Sequence, residues 1–195
     1  MSDVYIHPTA EVSPKAKIGA GSKIWNHAQV REETELGKNC VLSKNVYIDK
    51  GVKIGDGCKI QNNVSIYYPC IIDDDVFIGP SVTFTNDMYP RAFIWSTERI
   101  SSPTKIKKGA SVGANATLIC GITLGEYSMI AAGAVVTKDV PAHALIMGVP
   151  GKIKGFVCTC GKPLTLKEEG KTAEYYCESC KKKISIPMKD FLKLK

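Results

Sequence analysis

The stretch "IGDGCKIQNNVS", residues 54–65, places two isoleucines, Ile54 and Ile60, six positions apart. A helix repeats its apolar residues every three or four positions and a half-buried strand every two. A step of six fits neither. It also continues in both directions: Ile6, Val12, Ile18, Ile24, Val30, Leu36, Leu42, Ile48, Ile54, Ile60, Ile66, Ile72, Ile78 and Phe84 form an unbroken series. The series resumes at Ile106, Val112, Leu118, Leu124, Ile130 and Val136. Such residues make up about a quarter of an ordinary chain, so a register this long is not chance.

A second position keeps the same frame. Four residues after each anchor the side chain is usually small, as at Ala10, Ala16, Ser22, Ala28, Cys40, Cys58, Val64, Cys70, Ala110, Ala116 and Ala134. One residue after the anchor, glycine recurs at Gly19, Gly37, Gly55, Gly79, Gly113 and Gly125. Glycine there suggests a tight turn with backbone angles that other residues avoid.

This is a hexapeptide repeat, the sequence signature of a parallel β-helix. Three hexads close a triangular coil, and coils stack at the strand spacing of about 4.8 Å. The fold class expected is all-β, a prism of six to seven coils with the anchors inside. The period does not fix its handedness. Cys40, Cys58 and Cys70 occupy the small interior position, where a thiol acts as a compact hydrophobe. Cys120 falls two places after its anchor, and its setting stays open.

Between Phe84 and Ile106 the gap is not a multiple of six. Residues 85–105 therefore leave the prism as a loop carrying Asn86, Asp87, Tyr89, Arg91, Trp95 and Arg99. Loops held by a rigid scaffold are common places for binding groups. Near Pro141 the ladder of backbone hydrogen bonds should end, because proline cannot donate.

The remaining tail has a different composition. Residues 151–195 hold eleven lysines against five acidic residues, so +6 of the chain's net +7 sits there. Cys158 and Cys160 are separated by one residue, and Cys177 and Cys180 by two. Two close pairs supply four thiolates for a structural zinc, with no position left open for water. The domains expected are 1–154, the prism with its loop insertion, and 155–195, a zinc-knuckle-like tail. About forty residues form a poor core alone, so a metal would help.

The 195 residues contain no apolar run of membrane-spanning length, and "MSDVYIHPTAEV" lacks the pattern of a signal peptide. A cytoplasmic location without membrane partners is expected. A basic tail attracts nucleic acid. This one offers only the adjacent Tyr175 and Tyr176 as a platform for bases, which argues against that partner.

The hexads together with "GAVVTKDVP" and "MGVP" resemble the left-handed β-helix acyltransferases. The segments "IHPTAEV", "IGAGSKIW", "CKIQNNVSIY", "VFIGPSVTFTN" and "KKGASVGANATLICGITLGEYSMIAAGAVVTKDVP" are similar to bacterial nucleotide-sugar N-acetyltransferases. The nearest kind acetylates the 3-amino group of UDP-2-acetamido-3-amino-2,3-dideoxy-glucuronic acid in surface polysaccharide synthesis. The resemblance covers about residues 5–152 and leaves out the tail. It implies a left-handed coil, a homotrimer with sites between neighbouring prisms, acetyl-CoA as co-substrate, and direct attack of the sugar amine on the thioester.

The resemblance also implies roles for residues. Asn86 would orient the amine, with a turn-capping asparagine as the alternative. Arg91 would pair with a sugar carboxylate, with Asp87, Gln61, Asn62 and Asn63 lining the same groove. An asparagine ladder on the outside of the prism is the other reading of that last set. Among the three histidines His27 is the candidate base, with a surface histidine as the alternative, and Trp25-Asn26-His27 departs from the Trp-His-Phe of the family. Lys138 would meet a coenzyme A phosphate, and Ala114, Ala132 and Gly133 would offer backbone contacts to the pantetheine arm. An O-acetyltransferase, an acetyltransferase of a dTDP-amino sugar, and a scaffold or nucleic-acid-binding module are the rivals. A prism-type carbonic anhydrase needs three clustered histidines, which His7, His27 and His143 do not supply.

Overall fold

The structure is a computed structural model and describes residues 3–94 and 102–194. Each hexad of the sequence forms one short strand, from β1 (Tyr5–Ile6) to β20 (Val135–Val136). The strands stack in parallel as three faces. Face A stacks Tyr5–Ile6, Lys23–Ile24, Val41–Leu42, Lys59–Ile60, Phe77–Ile78, Ser111–Val112 and Met129–Ile130. Face B begins at Glu11–Val12 and ends at Val135–Val136, and face C begins at Lys17–Ile18 and ends at Thr123–Leu124. Stacked partners stand three hexads apart, as in Ile54 opposite Ile72, so three hexads make one coil.

The anchors point inward because a coil of this size has room for one large side chain per face. Ile24, Ile48, Ile60, Ile66, Ile78 and Leu124 are fully buried. Burying such a side chain stabilises the fold by about 1.5–3 kcal/mol. No single coil can enclose its own core, so the stack is the stable unit. Cys40, Cys58, Cys70 and Cys120 are all buried and unpaired. The Cys58 thiol also reaches the Asp73 carbonyl of the next coil at 3.1 Å. Burial pushes the Cys70 thiol up to about 12, which keeps it protonated and inert.

The recurring glycines need a correction. The left-handed backbone lies three residues after the anchor, not one: His27, Asn39, Asn45, Asn63, Asn115 and Gly133 all have φ between 55° and 70°. The glycines one residue after the anchor serve close approach instead. A Cβ on Gly113 would lie 2.5 Å from Ala132 N, and one on Gly37 would lie 2.5 Å from the Gly55 carbonyl carbon. Successive coils touch there through bare backbone.

The prism runs further than the hexad count implies. β21 (Ala144–Met147) adds an eighth parallel strand to face A, opposite Met129 and Ile130. The step from Ile130 to its partner Ile146 falls short of three whole hexads, so a count by sixes misses it. Pro141 sits in the turn before it, where no strand bond is lost. β22 (Lys152–Phe156) then pairs with β21 antiparallel and crosses the 154/155 boundary. The tail is a three-stranded antiparallel sheet of β23 (Thr165–Glu169), β24 (Thr172–Tyr176) and β25 (Lys183–Pro187), closed by the helical turn α1 (Met188–Phe191).

Candidate functional site

The insertion leaves face B after β14 (Thr83–Phe84) and returns to face C at β15 (Thr104–Ile106). Ile106 is the stacking partner of Ile72, yet almost two coils of chain separate them, so the insertion is nearly a coil long. Thr104 and Lys105 already pair in the sheet, and the loop proper is 85–103. Its base is fixed: Thr85 Oγ1 accepts a hydrogen bond from Cys120 N–H at 2.9 Å. Trp95 and Arg99 lie outside the described residues.

The three edges of the prism sort the candidate residues. The edge between faces A and B carries His27, Gln61, Asn62, Asn63, Ala114, Ala132 and Gly133, each in the turn after a face A strand. The edge between B and C carries Asn86, Asp87, Arg91 and Lys138. Height along the prism sorts them again. Gln61–Asn63 belong to the fourth coil, the loop to the fifth, Ala114 to the sixth, and Ala132, Gly133 and Lys138 to the seventh. His27 belongs to the second, about 14 Å below the loop at the stacking distance of about 4.8 Å.

Local contacts separate the candidates further. Asn86 is exposed beside the fixed base of the loop. The Asp87 carboxylate caps its own turn, accepting from Tyr89 N–H at 2.8 Å. Arg91 is exposed, and its Nη1 donates to the Pro90 carbonyl at 2.9 Å. Asn62 Oδ1 accepts from Lys44 N–H at 3.2 Å, and Asn45 Nδ2 donates to Asn63 Oδ1 at 3.0 Å. Those two amides make the outer ladder, whereas Gln61 has no side-chain hydrogen bond among the described residues.

The upper end offers free donors and a free cation. Gly133 N–H donates to the Ala114 carbonyl of the coil before it at 2.9 Å. The N–H groups of Ala114 and Ala132 donate to no acceptor among the described residues. Unspent backbone donors at an exposed edge can bind carbonyl oxygens of a ligand. Lys138 is exposed and has no carboxylate partner among the described residues.

One aromatic group stands outside the residues that the hexad pattern marks. Tyr67 and Tyr68 are exposed on the edge between B and C, one coil below the loop, with the Tyr47 ring 5.9 Å from that of Tyr67. Only the doubled tyrosine of "SIYYP" hints at it.

The four tail cysteines converge. Their sulfurs all lie within 4.8 Å of one another, with Cys158 to Cys180 at 3.3 Å and Cys160 to Cys177 at 3.6 Å. Thiolates about 2.3 Å from a tetrahedral zinc stand about 3.8 Å apart, so the set fits that ion. Burial opposes ionisation of Cys158, but the Cys160 backbone and the neighbouring thiols and Thr159 hydroxyl outweigh it and bring its thiol down to about 6. Cys180, hydrogen-bonded to Cys158, is pushed up to about 12.

Comparison with known proteins agrees with the hexapeptide-repeat fold. The family described as bacterial transferase hexapeptide (six repeats) matches residues 33–67, 51–86 and 103–138. Over 61 residues the chain is 52% identical to the dTDP-3-amino-3,6-dideoxy-alpha-D-galactopyranose 3-N-acetyltransferase of Aneurinibacillus thermoaerophilus. That match spans 31% of this chain and 32% of the relative, about a third of its length. The acetyltransferase domain of PglB from Neisseria gonorrhoeae, solved with acetyl coenzyme A, superposes with a TM-score of 0.53 at 25% identity, over 77% of this chain and 57% of that one. A hexapeptide-repeat acetyltransferase of Vibrio cholerae, also solved with acetyl coenzyme A, gives 0.55 at 28% identity, over 64% and 70%. No described helix is long and apolar enough to cross a membrane.

Proposed function

We infer that this chain, a hexapeptide-repeat protein of the bacterial transferase family, is an acetyl-CoA-dependent N-acetyltransferase of a nucleotide-linked amino sugar. The observation that carries the reading is the 61-residue match at 52% identity to a sugar 3-N-acetyltransferase, on a prism whose loop leaves at one edge. The 3-amino group is the acceptor position this relative shares with the UDP-amino-uronic acid implied by the sequence resemblance. Surface polysaccharide synthesis is the setting that the reading implies.

The chemistry follows from the two edges. Acetyl-CoA lies along the edge between A and B, its pantetheine amides meeting the free N–H groups of Ala114 and Ala132. Lys138, on the loop's edge of the facing copy, meets a phosphate, a task suited to a compact ammonium. Asn86 orients the neutral amine of the sugar by hydrogen bonding, which removes much of the entropy barrier to attack. Arg91 faces the acidic part of the acceptor as a bidentate donor, and Gln61 lines the groove below. A backbone N–H stabilises the oxyanion of the tetrahedral intermediate. His27 stands too far down the prism to take the amine proton in the same coil, so the departing thiolate accepts it.

These edges lie apart on one chain. A complete site needs the edge of one copy against the loop of another, which supports the homotrimer of the resemblance. A zinc held by Cys158, Cys160, Cys177 and Cys180 is structural, since four thiolates leave no open position.

Thiol release from acetyl-CoA against UDP- and dTDP-linked 3-amino and 4-amino sugars, with and without a C6 carboxylate, tests the reading. Release with a 3-amino nucleotide sugar supports it. Release with 4-amino sugars alone moves the acceptor position. No release and no binding of acetyl-CoA overturns the reading and leaves a scaffold.

A further inference from the structure

The two ends of the prism differ. At the first coil Ile6 is 44% exposed, and Val12 and Ile18 are only partly buried. At the last coils Leu124, Ile130, Val136, Val140 and Ile146 are each at most 5% exposed. The anchors are of one kind, so something covers the second end. β22 and the tail do so. Phe156 is 2% exposed and packs its ring 5.3 Å from Tyr175, which meets Phe191 at 6.4 Å. These rings form one contiguous apolar cluster with the prism core.

The tail is also hydrogen-bonded to the last turn beside the cysteines. Val157 N–H donates to the His143 carbonyl at 2.7 Å, and His143 Nδ1–H donates back to the Val157 carbonyl at 2.9 Å. Cys158 follows directly. A cavity of about 300 Å³ is lined jointly by Cys158–Gly161 and by Tyr127, Ser128 and Met129 of the prism. Apart from the buried cysteines, the tail sheet and its helical turn bury only Ala173, Tyr175, Ile186 and Phe191 among the described residues, too little to fold a segment of this length unaided.

We propose that zinc at the four cysteines folds the tail into an end cap, and that metal occupancy thereby sets the order of the last coils and their hold on acetyl-CoA. The proposal rests on the zinc reading given above. Metal binding and folding are one equilibrium where no preformed core exists. In a stack whose units touch only their neighbours, losing a cap loosens the adjacent coils and spares the distant ones.

The test uses the full-length protein as purified. Zinc content is measured, the metal is removed with a chelator, and hydrogen exchange is followed by peptide. One zinc per chain is expected. On removal, exchange within residues 127–157 should quicken about tenfold or more while residues 24–84 keep their protection. Acetyl-CoA affinity should weaken in parallel. The variant Phe156→Ala should show the same local loosening with its zinc still bound. Absence of metal overturns the zinc reading and this proposal with it, and leaves the acetyltransferase reading standing. Bound metal whose removal changes no exchange, or changes it evenly along the chain, overturns the end cap alone. So does a Phe156→Ala variant that exchanges like the wild type.

Discussion

Asn86 and His27 stand on different edges of the prism and three coils apart, one in the turn after β14 and the other after β4 (Lys23–Ile24). Their separation along the axis is about 14 Å. Within one chain, one amine cannot touch both side chains.

Substitution should separate the two. Asn86→Ala is expected to lower kcat/KM by about a hundredfold, since misplacing a nucleophile costs that order. Asn86 is exposed, so the melting temperature should stay the same. His27→Asn keeps a residue that tolerates the left-handed backbone at φ 58°, and kcat/KM should change less than about twofold. A hundredfold loss in the second variant would restore His27 as the base.

Lys138 offers a different signature. Lys138→Ala should raise KM for acetyl-CoA about tenfold with little change in kcat, the loss of one charge-assisted hydrogen bond. The wild-type KM should rise with ionic strength more steeply than that of the variant, because an exposed ion pair is screened. Equal salt slopes would remove the phosphate role.

The two kinds of glycine predict opposite tolerance. Gly37→Ala puts a Cβ 2.5 Å from the Gly55 carbonyl carbon and from an Asp56 oxygen, so the coils must part. A loss of several kcal/mol is expected, in the range of overpacked cores or above it. Gly51 has φ +68° and only the Tyr68 ring nearby, at 3.5 Å. Gly51→Asn should cost under about 1 kcal/mol, since asparagine enters that region readily. Thermal unfolding of the two variants decides the matter.

His143 predicts a pH dependence. Burial holds its imidazole below the usual 6.5, against the opposing effects of the Val157 carbonyl and the Glu126 carboxylate, with Tyr127 stacked on the ring. The unfolded chain therefore binds the proton first. Stability is full above about 6.5 and falls as the pH drops from there toward the lower folded value. His143→Asn keeps the left-handed turn (φ 62°) and removes the titration. Its melting temperature should fall less than that of the wild type between pH 7 and pH 5.5, both with zinc present. Parallel curves would exclude His143 as the source.

Much of the architecture was legible because it is repetitive. Twenty anchors at one period fix which side chain faces inward, and each became a strand residue in the structure. The loop was legible as a break in the count, and the cysteine pairs as a spacing. Residues such as Asn62 and Asn63 were not decidable, because one sequence position serves equally a ligand groove or a ladder between coils. The structure adds that Asn62 accepts from Lys44 N–H and Asn63 from the Asn45 amide, the bonds that a ladder between coils makes.

The sequence by itself determined the coil, its interior, its interruption and the four thiols, because these depend on local spacing and side-chain type. The tertiary structure alone decided which edge and which height each candidate occupies. A period of six says that a residue is in a turn, whereas grouping turns into edges depends on where the chain rejoins the stack after the insertion and on pairing between positions far apart in sequence. It also decided that β22 and the tail sheet pack together, since Phe156 against Tyr175 joins segments that share no pattern.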